Sequence, residues 1–192
     1  MSVNNEPLPS AREVADKIIG GASQVHSDDL SVHAMQWGQF LTHDLDHTPE
    51  VSPGPGNSWD CCGEHRDNHA CAPIYMKKQD SIYGPANKTC MNFVRSALAP
   101  AMGCKVDQQN QITSYLDGSM IYGSDDPTME KMRQYKDGLL VSSGGNDSDV
   151  LQPSEGSECH IPHHSHHHCF SSGDKRVNEQ PGLALYHIVW HR

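Results

Sequence analysis

The sequence has no apolar run close to the roughly 20 residues that a membrane span needs. Its longest, from Gly182 to Trp190, is interrupted by His187. Aromatics are few (6%), and hydrophobic residues make up 35%, a lean supply for a sizeable core. Positive charge is scarce too: 14 Lys and Arg stand against 24 Asp and Glu, a net charge of -10 with His neutral. That balance argues against a general binder of nucleic-acid backbones, which needs a basic face. It leaves room for a bound cation. The opening MSVNNEPLPS lacks the basic and apolar parts of a secretory leader. At roughly 150 residues per domain, the length fits one domain or part of a larger one.

Histidine and cysteine are plentiful by contrast. Fourteen His titrate near about pH 6.5, so the net charge shrinks in mild acid. Seven Cys occur, at 61, 62, 71, 90, 104, 159 and 169. No Cys-x2-Cys pair is present, which favours disulfides over zinc. Asn87-Lys-Thr and Asn146-Asp-Ser are glycosylation acceptor patterns. Together these features indicate a secreted protein, and the missing leader does not fit. Either a segment precedes Met1 or the compartment reading is wrong.

Residues 1–26 read as an extended lead-in with a helical stretch, Ala11 to Ile19, stopped by Gly20-Gly21. Leu30 to Leu45 predicts a helix: Ser27, Asp28 and Asp29 offer caps, and Pro49 ends it. Residues 50–88 form a long irregular loop that needs cross-links. Met91 to Leu98 suggests a short helix, and Gln108 to Ile121 alternates as an extended segment would. Asp126-Pro127 starts another helix, with Asp as cap, Pro at the first helical position and a stop at Gly138. Residues 142–174 are polar. A last helix begins near 178, with Leu183, Tyr186, Val189 and Trp190 on its apolar side. This pattern is still running at Arg192, so residues 1–192 are expected to be a partial domain, truncated at the C-terminus.

Three stretches carry residues with chemistry. In HAMQWGQFLTHDLDHTPE, Gln36, Gln39 and His43 share one helical face. Asp44 follows His43, and one residue turns a helix by about 100°, so the two face different surroundings. In TSYLDGS, Thr113, Tyr115, Asp117 and Ser119 recur at period two, and their oxygens are of the hard kind that calcium takes. In GDKRVNEQPG, Arg176, Glu179 and Gln180 fall at i, i+3 and i+4. On spacing alone, each is explained better by a satisfied His or a solvated polar face.

Their combination and order say more. WGQFLTHDLDHTPE, NQITSYLDGSMIYGSDDP and GDKRVNEQPGL, with PLPSAREV and TCMNFVRSALAP, closely resemble the distal half of the animal haem peroxidase family, the myeloperoxidase and peroxidasin group. The resemblance implies a mainly α-helical fold with long disulfide-linked irregular loops. It implies a haem peroxidase, oxidising small donors or halides with hydrogen peroxide. His43 then stands at the distal histidine and Arg176 at the distal arginine. Gln39 matches the pocket glutamine, and Glu179 the carboxylate that can form an ester to a haem methyl. Asp44, Thr113, Tyr115 (through its carbonyl), Asp117 and Ser119 stand at the calcium site.

The sequence also departs from the family. Thr42 occupies the place of an Asp that forms the other ester, and Gln180 replaces the Met of myeloperoxidase's sulfonium link. At most one covalent bond to a b-type haem is therefore expected. The family's proximal His lies downstream of Glu179 and is not found here, so these residues alone are expected not to bind haem stably or turn over peroxide. By the same resemblance Cys159 pairs with Cys169. Cys71 pairs with one of Cys61 and Cys62, and Cys90 with the other, leaving Cys104. The run His160, His163, His164, His166, His167 and His168 is not a family feature; its spacing could bind zinc or copper, but a solvated insert in a variable surface loop explains it better. Two rival functions remain: a non-catalytic calcium- or metal-binding adhesion module of the same family, and a His-rich metal carrier.

Overall fold

A computed structural model of the chain describes residues 4–20, 27–54, 57–100, 106–143, 151, 154 and 169–191. The described structure is mostly helical with little sheet, and it separates into two compact units.

The first unit holds residues 1–26 and 48–109. It begins with α1 (Ala11–Ala15), which widens into a π-helical turn over Asp16–Gly20. Two short strands, β1 (Ile74–Tyr75) and β2 (Cys90–Met91), pair antiparallel with Ile74 opposite Met91. The helix expected over Met91–Leu98 does not form. That segment runs extended, with bridges from Val94 to Cys71, Ser96 to Glu50 and Leu98 to Gln108. Partners distant in sequence outweigh its local helix preference, because they satisfy its backbone groups while Val94 packs on Cys61 and Cys71.

So small a core needs staples, and the loop has them. Cys61 is joined to Cys71, and Cys62 to Cys90, as the resemblance implied. Cys169, in the second unit, is also disulfide-bonded. Cys159, Cys104, Asn146 and the His160–His168 run lie outside the described residues.

The second unit holds residues 27–47 and 110–192. α2 (Val32–Leu45) forms close to where its caps and Pro49 place it, with Ser31 as N-cap. α5 (Pro181–Trp190) packs on it. Phe40, Met120, Ile121 and Leu183 make the core, with Trp37 and Tyr186 at its edge. Leu151, Val177 and Ala184 form a second cluster. Between the two long helices lie α3 (Ser119–Tyr122) and α4 (Asp126–Met132).

Two expectations are corrected in this unit. Residues 113–118 are a series of bends leading into α3 rather than an extended strand. The cap of α4 is Asp125, whose carboxylate accepts the Thr128 N–H at 2.9 Å. That helix ends at Met132, well before Gly138, because Arg133 bridges to Leu140 and turns the chain back.

Candidate functional site

α2 turns Gln36, Phe40, His43 and Asp44 inward and leaves Gln39 half-buried. His43 is 6% exposed. Its Nε2 lies 3.8 Å from Glu179 Oε2, beyond hydrogen-bond reach. Gln39 Nε2 donates to the same Glu179 oxygen at 2.9 Å. Gln180 caps α5 by accepting the Gly182 N–H at 3.2 Å. Its amide nitrogen donates back to Gln39 Oε1 at 2.9 Å and to Gln36 Oε1. The start of α5 is thus fastened to α2 through three glutamines.

Arg176 sits in a single 3₁₀ turn, Lys175–Asn178, capped by Asp174. The Asp174 carboxylate accepts the Arg176 backbone N–H at 2.8 Å, its Nε at 3.0 Å and its Nη2 at 2.6 Å. Nη2 also donates to the carbonyls of His43 (3.2 Å) and Asp46 (2.9 Å). The His43 carbonyl is open to it because His47 N–H, its next helical donor, goes to Asn110 Oδ1 at 2.8 Å instead. A cation at the C-terminal end of α2 also complements the helix dipole.

Burial first, and then the Arg176 charge, holds the His43 imidazole below the usual histidine range, against the pull of Asp174, Glu179 and Asp46. The imidazole is therefore neutral near pH 7. Burial alone would raise the Asp174 carboxyl, but the hydrogen bonds and charge of Arg176 outweigh it and hold the group low.

Asp44 faces the other way, as its one-residue offset from His43 requires. It is 2% exposed. Its Oδ1 accepts from Ser119 Oγ at 3.1 Å, and its Oδ2 from Gly118 N–H at 3.0 Å. Asp117 Oδ1 accepts from Thr113 Oγ1 at 3.0 Å and from Ser119 N–H at 3.1 Å. Gly118 has φ +76°, a left-handed conformation that glycine adopts without strain, and it aims its N–H at Asp44. So Asp44, Thr113, Asp117 and Ser119 do converge, through a tight loop rather than one face of a strand. The Tyr115 side chain stays out, the residue being 76% exposed. Among the described residues no three His, Cys, Asp or Glu gather as a metal site. The cluster has only two carboxylates, with two hydroxyls. Thr42 is exposed, and its hydroxyl donates back to the Gly38 carbonyl at 2.9 Å.

Two buried groups were not singled out by sequence reasoning. Asp174 had a signal, since it stands two residues before Arg176 in the GDKR stretch, at a capping position. His187 had none beyond its place in an apolar run. It is 0% exposed, stands edge-on to Phe40 at 5.1 Å, and shares a 2.9 Å hydrogen bond with Ser172 Oγ. Burial pushes it down to about 4.

Comparison with known proteins identifies the family. A family model described as animal haem peroxidase matches residues 1–192. Peroxidasin of Drosophila melanogaster is 34% identical, over 100% of this chain and 14% of its own length. Human lactoperoxidase is 33% identical, over 98% of this chain and 29% of its own length. The chain spans less than a third of these curated relatives. Among solved structures, peroxidase A from Dictyostelium discoideum superposes with a TM-score of 0.69 at 22% identity, covering 95% of this chain and 36% of that one, so the fold is shared. The chain belongs to the animal haem peroxidase family.

Proposed function

We propose that residues 1–192 form the distal part of a haem peroxidase domain that oxidises small donors or halides with hydrogen peroxide. One observation carries the reading: Arg176 is bonded to the backbone of His43, while Glu179, held by Gln39, stands 3.8 Å from His43 Nε2. The residues fit a haem on this side. A buried neutral imidazole stands beside a Glu179 carboxylate that is 47% exposed, the chemistry that a proton acceptor and an ester to a haem methyl require.

A bound haem supplies the iron and porphyrin chemistry that cleaves peroxide and oxidises the donor. His43 Nε2 takes a proton from peroxide and returns it to the departing oxygen, as a neutral base near pH 7 can. The Arg176 guanidinium, already clamped by Asp174, stabilises the developing negative charge without reorganising. Gln39 hydrogen-bonds in the pocket. Calcium held by Asp44, Thr113, Asp117, Ser119 and the Tyr115 carbonyl would lock the turn of α2 that aims His43. The donor set is all hard oxygen, which suits it. Secretion is part of the proposal, supported by the two disulfides of the first unit. No helix among the described residues is long and apolar enough to cross a membrane.

The test is peroxide-dependent oxidation of a small phenol by the haem-loaded protein expressed from its full transcript. His43→Ala should cut the rate by about 100- to 10,000-fold, and an undiminished rate would sink the reading. Calcium binding without any turnover would favour the second reading, a non-catalytic calcium module. That reading draws on the same closed oxygen cluster.

A further inference from the structure

Among the described residues, the buried ring nitrogens His43 Nδ1 and His187 Nε2 have no hydrogen-bond partner. Both rings are shielded from solvent, at 6% and 0% exposure. Leaving such atoms unpaired costs free energy, so buried polar atoms nearly always have a partner in protein or water.

The other nitrogen of His187 decides its tautomer. Ser172 Oγ donates its single proton to the Met120 carbonyl at 3.0 Å. With that proton on the carbonyl, which can only accept, Ser172 Oγ has only acceptor capacity for His187 Nδ1, 2.9 Å away, and this assignment puts the His187 proton on Nδ1. Nε2 is left with a lone pair and can only accept. The opposite arrangement would place an N–H donor on the unpartnered nitrogen.

His187 also lies beside the turn of α2 that carries His43. Its ring stands edge-on to Phe40, 5.1 Å between centroids with an 88° interplanar angle. Phe40 is one helical turn before His43. His43, Asp174 and Arg176 are the charged or titratable groups whose fields reach His187. The two imidazoles therefore share one interior, one with an acceptor and the other with a nitrogen whose role is open.

We infer that one buried water molecule bridges His43 Nδ1 and His187 Nε2, making His187 a positioning residue that sets the tautomer of His43. The water donates to His187 Nε2 and accepts the His43 Nδ1–H, the two bonds that a buried water minimally needs. The chain of donors then runs from His43 through water, His187 and Ser172 to the Met120 carbonyl. It has one direction, because a carbonyl can only accept. The consequence is a lone pair on His43 Nε2, the nitrogen on the Glu179 side. At 3.8 Å Glu179 is too far to hold a proton there by a hydrogen bond. This inference rests on the proposed role of His43 as proton acceptor, but its test needs no haem.

The experiment is long-range proton–nitrogen NMR of the nitrogen-15-labelled full chain above pH 7, together with a crystal structure fine enough to show ordered water. Both His43 and His187 should be in the Nδ1–H form, with a water in hydrogen-bond distance of both free nitrogens. His187→Gln, which puts an amide oxygen near the place of Nε2, should keep the His43 tautomer. His187→Leu should lose it while near-ultraviolet dichroism stays native. An Nε2–H form of His43 in the wild type would overturn the inference. So would an empty density map between the rings, or a His43 tautomer unchanged in His187→Leu. Peroxide turnover is not among the readouts, so loss of the peroxidase reading and loss of this one are told apart.

Discussion

Asp174 grips the guanidinium of Arg176 at 2.6 Å from two residues away, and the same Nη2 donates to the backbone carbonyl of His43 at 3.2 Å. A carboxylate 5% exposed thereby decides where the cation of the site points. Asp174→Ala should leave Arg176 half-buried without its partner. Removing one member of such a pair costs about 3 kcal/mol or more. Urea unfolding at neutral pH measures this, and a loss within 0.5 kcal/mol, roughly the surface-mutation range, would contradict it.

His187 makes stability depend on pH. Its folded value near 4 lies below the ordinary unfolded value of about 6.5, so the unfolded chain takes up the proton first as pH falls. The contribution is whole above about pH 6.5, declines between about 6.5 and 4, and then levels off, a total near 3 kcal/mol. His187→Gln cannot titrate. The gap in unfolding free energy between the two proteins should therefore change by about that amount between pH 7 and 4, and a constant gap would refute the assignment.

Calcium should raise the melting temperature of the wild type, and a chelator should reverse the shift. Asp44→Asn removes the most buried carboxylate of the oxygen cluster and should abolish the effect. Calorimetric titration with calcium gives the independent reading. Equal binding by Asp44→Asn would place the ion elsewhere.

One ester link to haem, through Glu179, is the most this sequence supports. Mass spectrometry of peptides from the haem-loaded full-length protein should find haem on the Glu179 peptide alone, and Glu179→Gln should release it. A second link at Thr42 or Gln180 would contradict the prediction, because a hydroxyl lacks the carboxylate that such an ester needs and an amide lacks the sulfur of a sulfonium link.

Asn87 is exposed, with φ +52°, and Lys88 and Thr89 are exposed beside it. Expression through a secretory pathway should give a species whose mass drops on glycosidase treatment, and Asn87→Gln should lose that part of the shift.

How much of this was legible beforehand follows from the range of each interaction. α2 was visible in the sequence because caps, an unbroken run and a downstream Pro act within a few residues. The Asp-Pro start of α4 was visible for the same reason, with its cap misplaced by one position. Met91–Leu98 and residues 113–118 were misread because their backbone partners are remote: Val94 answers to Cys71, and Gly118 to Asp44. The motifs around His43 and Arg176 were legible as a resemblance, whereas Asp174 and His187 were not read as part of the site at all.

By itself the sequence determined the family, the inventory of reactive groups, the two long helices of the second unit and the cysteines available to staple the first. Local propensity and residue chemistry need no partner to be expressed. Only the tertiary structure decided which carbonyl Arg176 would seek, how Asp44 and Ser119 would meet, and that an imidazole at 187 would be fully buried. Those are contacts between residues far apart in the chain, and burial, which sets their strength, exists only once the chain has folded.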